Sequence, residues 1–520
     1  MRLGRQFRVT LAVLLASAPA LWAQTPSTLA GKIEAVMRRP EYKHARWGIL
    51  IVDTISGATV YAHQAEQLFV PASTTKLYSC AAALMALGPK HRFETPVHRH
   101  GEVRDGRLTG DLILVAQGDP TLGGRTNAKG LMEFKDNDHI YANGSPNGEI
   151  TETNPLAGLN ALAKQIADAG VKQVAGEVLI DDRLFEHARS SGSGPDVVSP
   201  IMVNDNCVDV VVHPAAVAGQ PATVEMCPQT AYYQMDADVT TVAAGKPISI
   251  DVVGTGLHAF KVRGQMPIRP KPLVRYFPVE DPARFARALL IEALHANGVR
   301  VSASIFEDPR VTLPSREEIA KLPTIATFVS PPFSELMKVT LKVSHNLYAS
   351  TLPMLVAAHN GNKTLAQGLR AQGRLLKECG VDTSAISFGG GAGGANADAV
   401  TPTATVQLLR SFRNRPEYPA FYAGLPILGV DGTLADVAPA NSKAKGQVRA
   451  KTGTLMWRDV MNNRDLLCSK ALGGYLTTAK GRDLTIAFYI NGVPLPSGVT
   501  AIREGKMLGE LCEVVYLNAP

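Results

Sequence analysis

The two ends of this chain carry the same pattern. Near the start, "WGILIVDTISGATVYAHQA" (Trp47–Ala65) reads as a strand, a Ser-Gly turn and a second strand. A helical run begins near Ser73 directly after it. Near the end, "ALGGYLTTAKGRDLTIAFYING" (Ala471–Gly492) repeats strand, glycine turn and strand, and the helical run "TAIREGKMLGELCEVVY" follows. Hairpins with flanking helices at both termini are expected to meet in one α+β domain built from both chain ends. A strand-rich stretch between them is then an insertion. At 520 residues there is room for it, since a chain this long exceeds one ordinary core.

The middle has a different texture. From about Phe93 to Val274 it is rich in Gly, Pro, Val and Thr, with short strand-like runs such as "GDLILVAQG", "VDVVVHP" and "HAFKVRG". Two helix-glycine units interrupt it, "LAGLNALAKQIADAG" and "PARFARALLIEALHANGV". One or two strand-rich inserted domains are expected.

The first residues run from Arg2, Arg5 and Arg8 through an apolar stretch, Val9–Ala18, to small residues at Ala20 and Ala23. That is the order of a secretory signal peptide, expected over residues 1–23 with cleavage near Ala23, so an exported, periplasmic or envelope-associated protein is expected. No later run of eighteen apolar residues suggests a membrane span. Removing three arginines takes the formal charge from +7 to +4, and no run of five like charges occurs, so nucleic acid is not a favoured partner. Six scattered cysteines do not make a disulfide scaffold, although Cys207 and Cys227 could pair in an exported chain. Neither Cys-x-x-Cys nor His-Glu-x-x-His occurs, and no metal or cofactor is expected.

Three short stretches could carry chemistry. In "VPASTTKLYSCAAALMALG", Ser73 and Lys76 share a face in the first turns of an apolar helix. A desolvated lysine can take a serine proton, and a helix N-terminus favours developing negative charge. Taken alone, the stretch reads better as an ordinary helix cap followed by a solvated lysine, because caps are common. Ser-x-x-Lys should occur roughly twice by chance in such a chain, and Ser442–Lys445 is a second case, with no helix after it. In "LKVSHNLYASTLPMLVAA", Ser344 and Asn346 could both face a cleft, one relaying a proton and one hydrogen-bonding. Ser145–Asn147 has the same spacing inside a turn. In "GQVRAKTGTLMW", Lys451, Thr452 and Thr454 could hold a carboxylate, and Gly453 would let a ligand backbone lie against the strand. A plain hairpin end is the alternative. Lys-Thr-Gly occurs once, where chance supplies roughly a tenth of one.

Ser-x-x-Lys, Ser-x-Asn and Lys-Thr-Gly in that order are the signature of penicillin-binding proteins and serine β-lactamases. Ser73 and Ser344 are 271 residues apart, far more than a β-lactamase requires. With "LTGDLILVAQGDPTL", "SPIMVNDNCVDVVVHP" and "LPILGVDGTLADV" added, the chain resembles the D-alanyl-D-alanine carboxypeptidase/endopeptidase family, the class C low-molecular-mass penicillin-binding proteins. The resemblance implies a serine β-lactamase/transpeptidase-like catalytic domain at 24–92 and 325–520. It also implies one inserted domain at 93–180 and 270–324 and a second at 181–269. It makes Ser73 the acylated nucleophile and Lys76 its base. Ser344 would relay a proton to the leaving amine, Asn346 would hold Lys76 and the substrate amide, and Lys451 would help keep Lys76 neutral. Thr452 and Thr454 would bind the substrate carboxylate, with Gly453 between them. The backbone N–H groups of Ser73 and Thr454 would form the oxyanion hole. Implied partners are peptidoglycan stem peptides ending in D-Ala-D-Ala or cross-linked, with β-lactams as inhibitors.

Two departures accompany the resemblance. The family's Asp-Gly-Ser-Gly-Leu-Ser loop is replaced by "GGAGGA" (Gly390–Ala395), and Asn396 stands where an arginine is frequent. The aromatic and acidic residues expected before "SPIMVNDN" are missing from "SSGSGPD". His345, between Ser344 and Asn346, is expected at a tolerated exposed position. A wall-binding pseudoenzyme of the same fold, and a β-lactamase, are the competing functions.

Overall fold

The computed structural model describes residues 28–520, so the expected signal peptide lies outside the described residues. Its central feature is a six-stranded sheet made from both chain ends. The order across it is Thr59–His63, Arg46–Asp53, Asp483–Asn491, Arg464–Thr477 and Val448–Asp459, with Val493–Leu495 pairing the fourth of these. All pairings are antiparallel, and Arg46–Asp53 runs in unbroken register against Asp483–Asn491. Val448–Asp459, which carries Lys-Thr-Gly, is one of the two outer strands.

Both faces of this sheet are covered, which is why its strands are apolar almost throughout. Side chains alternate across a strand. Leu50, Val52, Ala471, Tyr475, Ala487 and Tyr489 face one helical layer, which includes Thr75–Leu87, Phe333–Lys342, Asn346–His359 and Pro402–Phe412. Ile49, Ile51, Leu472, Leu476, Ile486 and Phe488 face the terminal helices Leu29–Met37 and Ile502–Asn518. The Thr75 helix is buried nearly all round, so it packs as a core rod rather than as an amphipathic surface helix.

Between the two chain ends lie four further sheets of three or four strands. The helices Ala157–Asp168 and Pro282–Ala296, both legible in the sequence, pack against one another among them. One apolar cluster runs through Val97, Leu114, Leu162, Val210, Phe260 and Leu289, joining segments from both expected inserts. Thr324–Val329 pairs with Glu94–His100, and Leu273–Pro278 pairs with Cys207–His213. Cys207 and Cys227, read as able to pair, are both free. Cys227 stands opposite Asp209 rather than Cys207, two residues out of register. Among the described residues, no helix is long and apolar enough to cross a membrane.

Candidate active site

A cleft of about 680 Å³ opens beside this outer strand, and Ser73, Ser344, Asn346, Thr452 and Thr454 all line it. Ser73 sits in a 3₁₀ turn, Ala72–Thr74, just before the helix Thr75–Leu87. The residue ahead of it, Ala72, is left-handed at φ +46°, which turns the serine out of the helix line. No side chain caps this helix. Instead, Ser73 Oγ lies 2.8 Å from Lys76 Nζ, so the cap reading of the sequence does not hold.

Lys76 is completely buried. Its Nζ donates to Asn346 Oδ1 at 2.8 Å and to the Ala392 carbonyl at 2.9 Å. Burial pushes its ammonium down to about 7. A neutral amine has two N–H bonds and one lone pair. Here the two carbonyl oxygens take the N–H bonds and the lone pair faces the Ser73 hydroxyl.

Lys451, also fully buried, donates to Ser344 Oγ at 2.9 Å and to the Thr452 carbonyl at 2.7 Å. Burial, and then the Lys76 amine, hold Lys451 well below the ordinary lysine range. Thr452 donates to Thr433 Oγ1 at 2.7 Å, and Thr454 accepts from Lys470 Nζ at 2.9 Å. The eight residues singled out in the sequence are thus gathered at one cleft. Gly453 also meets a demand from within the chain. A Cβ on it would lie 2.5 Å from the Pro71 carbonyl oxygen, so its missing side chain makes room for the turn that carries Ser73.

His345 corrects the sequence reading outright. It is fully buried and stacks on Tyr348 at 3.5 Å between ring centroids. It also caps the helix Asn346–His359, accepting from the Tyr348 N–H. Ser344 beside it is left-handed at φ +65°. The inserted segment holds this turn. Tyr141 donates its hydroxyl to the Ser344 carbonyl at 2.5 Å, and Asn346 Nδ2 donates to the Ser193 carbonyl at 2.8 Å. Behind it, the Tyr348 hydroxyl donates to Asp205, which also accepts from Arg125 and His139. Arg125 forks onto Asp138 as well, and His139 reaches Asp209 at 2.7 Å. Three consecutive left-handed residues, Asn204–Asn206, aim Asp205 into this network. In the sequence, "VNDN" is part of a pattern and carries no sign of what it touches.

The glycine loop is backbone machinery. Ser79 donates to the Gly391 carbonyl while Ala392 takes the Lys76 N–H. Asp398, buried behind it, accepts from the Gly389 and Ala395 N–H groups. Gly393 is left-handed at φ +91°, and a Cβ there would fall 1.9 Å from the Ala72 carbonyl oxygen.

A family model for the D-Ala-D-Ala carboxypeptidase 3 (S13) family matches residues 29–507. The chain belongs to that family. A relative, the D-alanyl-D-alanine carboxypeptidase of Actinomadura sp. (strain R39), is 28% identical over 95% of this chain and 88% of its own length. The D-alanyl-D-alanine carboxypeptidase DacB of Haemophilus influenzae is 23% identical over 81% of this chain and 80% of its own. The crystal structure of penicillin binding protein 4 (dacB) from H. influenzae superposes with a TM-score of 0.70 at 20% identity, covering 94% of this chain and 99% of that one. A second crystal structure of that protein, with a TM-score of 0.68, holds a β-lactam. The S13 protein described here is therefore a serine-type D-Ala-D-Ala carboxypeptidase, a peptidase of the penicillin-binding class with the corresponding α+β fold.

Proposed function

We propose that this S13 enzyme is exported and cleaves peptidoglycan stem peptides through an acyl-enzyme on Ser73. The observation that carries the reading is the pair of hydrogen-bonded groups that meet at one cleft, Ser73 and Asn346 on Lys76, and Ser344 on Lys451. Thr452 and Thr454 receive the terminal carboxylate of a D-Ala-D-Ala peptide, or the ring carboxylate of a penicillin. An arriving carboxylate favours the charged form of Lys451, and a charged Lys451 opposes protonation of Lys76. Neutral Lys76 takes the Ser73 proton as Oγ attacks the carbonyl carbon. The backbone N–H groups of Ser73 and Thr454 stabilise the oxyanion, an arrangement that elsewhere supplies about 3 kcal/mol of barrier reduction per donor. The C–N bond then breaks, and the proton passes from Lys76 through Ser344 Oγ to the leaving D-alanine amine. Water then attacks the ester carbonyl and gives a proton to Lys76, which passes it to Ser73 Oγ as the ester C–O bond breaks, so the peptide leaves as the acid and Ser73 is restored.

The test is covalent labelling of the mature protein by a fluorescent penicillin, compared with Ser73→Ala. A stable adduct absent from the variant is expected. No adduct in the wild type would favour the pseudoenzyme, and rapid release of hydrolysed drug would favour a β-lactamase. Export is checked by N-terminal sequencing of protein recovered from the periplasm, with a new terminus expected just after Ala23.

A further inference from the structure

One buried cation at the cleft has no role in the chemistry above. Lys470 lies on the strand Arg464–Thr477, directly opposite Thr454 in register, so the two side chains share a face of the sheet. Only 8% of it is exposed, yet it lines the cleft. Its Nζ makes one hydrogen bond among the described residues, to Thr454 Oγ1 at 2.9 Å. An ammonium carries three N–H bonds, so two are left without a protein acceptor.

Lys342 shows what a structural lysine looks like in this molecule. Its Nζ donates to the Leu425 carbonyl at 2.7 Å and to both oxygens of Asp431 at 2.7 and 2.6 Å. Lys470 has no such partner. The acid whose charge it feels is Glu504, at the start of the terminal helix, but Glu504 Oε1 is taken by Arg503 and its buried Oε2 has no hydrogen-bond partner, so no ion pair or hydrogen bond joins it to Lys470 among the described residues. A buried ammonium left short of acceptors at a cleft wall is costly unless an anion completes its coordination.

Resting on the acyl-enzyme reading above, we propose that Lys470 is a second cation of the substrate-carboxylate pocket. It donates to the same carboxylate that Thr452 and Thr454 receive, and so makes that free carboxylate important for fast acylation. Lys451 stands on the far side of the edge strand and is engaged with Ser344, which leaves Lys470 as the cation nearest Thr454 on its own face.

The charges acting on Lys470 are Glu504, with its partner Arg503, on the terminal helix, and Lys451 across the edge strand. Burial lowers its ammonium to about 8. The charged form therefore prevails below pH 8 and is lost above it. The advantage of a free carboxylate should fade in the same direction.

The experiment compares acylation rates by benzylpenicillin and by its methyl ester, from pH 6 to 10, in the wild type, Lys470→Met and Lys470→Arg. Thermal melting is followed on each protein. For Lys470→Met, loss of a charge-assisted contact should slow acylation by the acid roughly tenfold while leaving the ester within about twofold. Lys470→Arg should restore most of the acid rate and carry the preference for the acid beyond pH 8. Equal loss on both compounds, loss on neither, or an unmoved pH limb in Lys470→Arg would overturn the proposal. The arginine variant decides the matter even if the methionine one fails to fold. Labelling that survives Ser73→Ala would instead overturn the acyl-enzyme reading itself.

Discussion

Lys76 has three hydrogen-bond partners, and only two of them are carbonyl oxygens. The third, the Ser73 hydroxyl, can give a proton as well as take an N–H, and this is what makes the lysine a base. Burial holds Lys76 at about 7, so the neutral form that accepts the Ser73 proton grows as pH rises through 7. Acylation by penicillin, measured by stopped-flow quenching, should climb through the same range. Lys76→Arg cannot lose its proton and should slow acylation on the order of 10³-fold at every pH, the usual worth of a general base. Asp205 is the second residue to test. It is buried and serves Arg125, His139 and Tyr348 at once. Asp205→Asn removes the charge that Arg125 and His139 face, and should lower stability by about 3 kcal/mol in urea unfolding. Neither Asp205 nor Lys470 was singled out in the sequence. An aspartate in a loop and a lysine in a strand carry no local sign of what they meet, because their partners are 143 and 16 positions away in the chain.

At the scale of elements, helices and hairpins with strong period were legible: the helices Ala157–Asp168, Pro282–Ala296 and Ile502–Asn518, and the hairpins at both ends. Fine placement was not. Ser73 was read into the first helical turn and lies in the 3₁₀ turn before it, because Gly453 and Gly393 leave room for Pro71 and Ala72 to bend there. The glycine loop reads as depleted when only side chains are compared. Its carbonyls and N–H groups nevertheless hold Lys76, Ser79 and Asp398. Gly393→Ala, at the cleft wall, should therefore damage the nucleophile turn. Both its φ of +91° and the Ala72 carbonyl oppose a Cβ. Penicillin acylation is expected to fall more than about tenfold, since small misplacement of reacting groups is costly. Gly361→Ala, a left-handed site with open space around it, is the control for backbone strain alone and should leave acylation unchanged.

At the scale of the molecule, the insert does more than sit between the chain ends. Through Tyr141, Ser193 and Asp205 it grips the Ser344–Tyr348 turn from behind. Tyr141→Phe should lower acylation by about fivefold, the worth of roughly 1 kcal/mol for one hydrogen bond, with little change in melting temperature. The strand pairings lead us to propose that the insert extends to Val329, since Thr324–Val329 completes its sheet. They also favour one insert built on a shared apolar cluster over two independent ones. The sequence by itself determined the fold class, through strand and helix period, and the reaction class, through the family resemblance that Ser-x-x-Lys, Ser-x-Asn and Lys-Thr-Gly carry, because each of these patterns is written locally. Only the tertiary structure decided which groups tune the residues of those motifs. Burial, a carbonyl such as Ala392 aimed at an amine, and an ammonium such as Lys470 left short of acceptors exist only once distant segments have packed together.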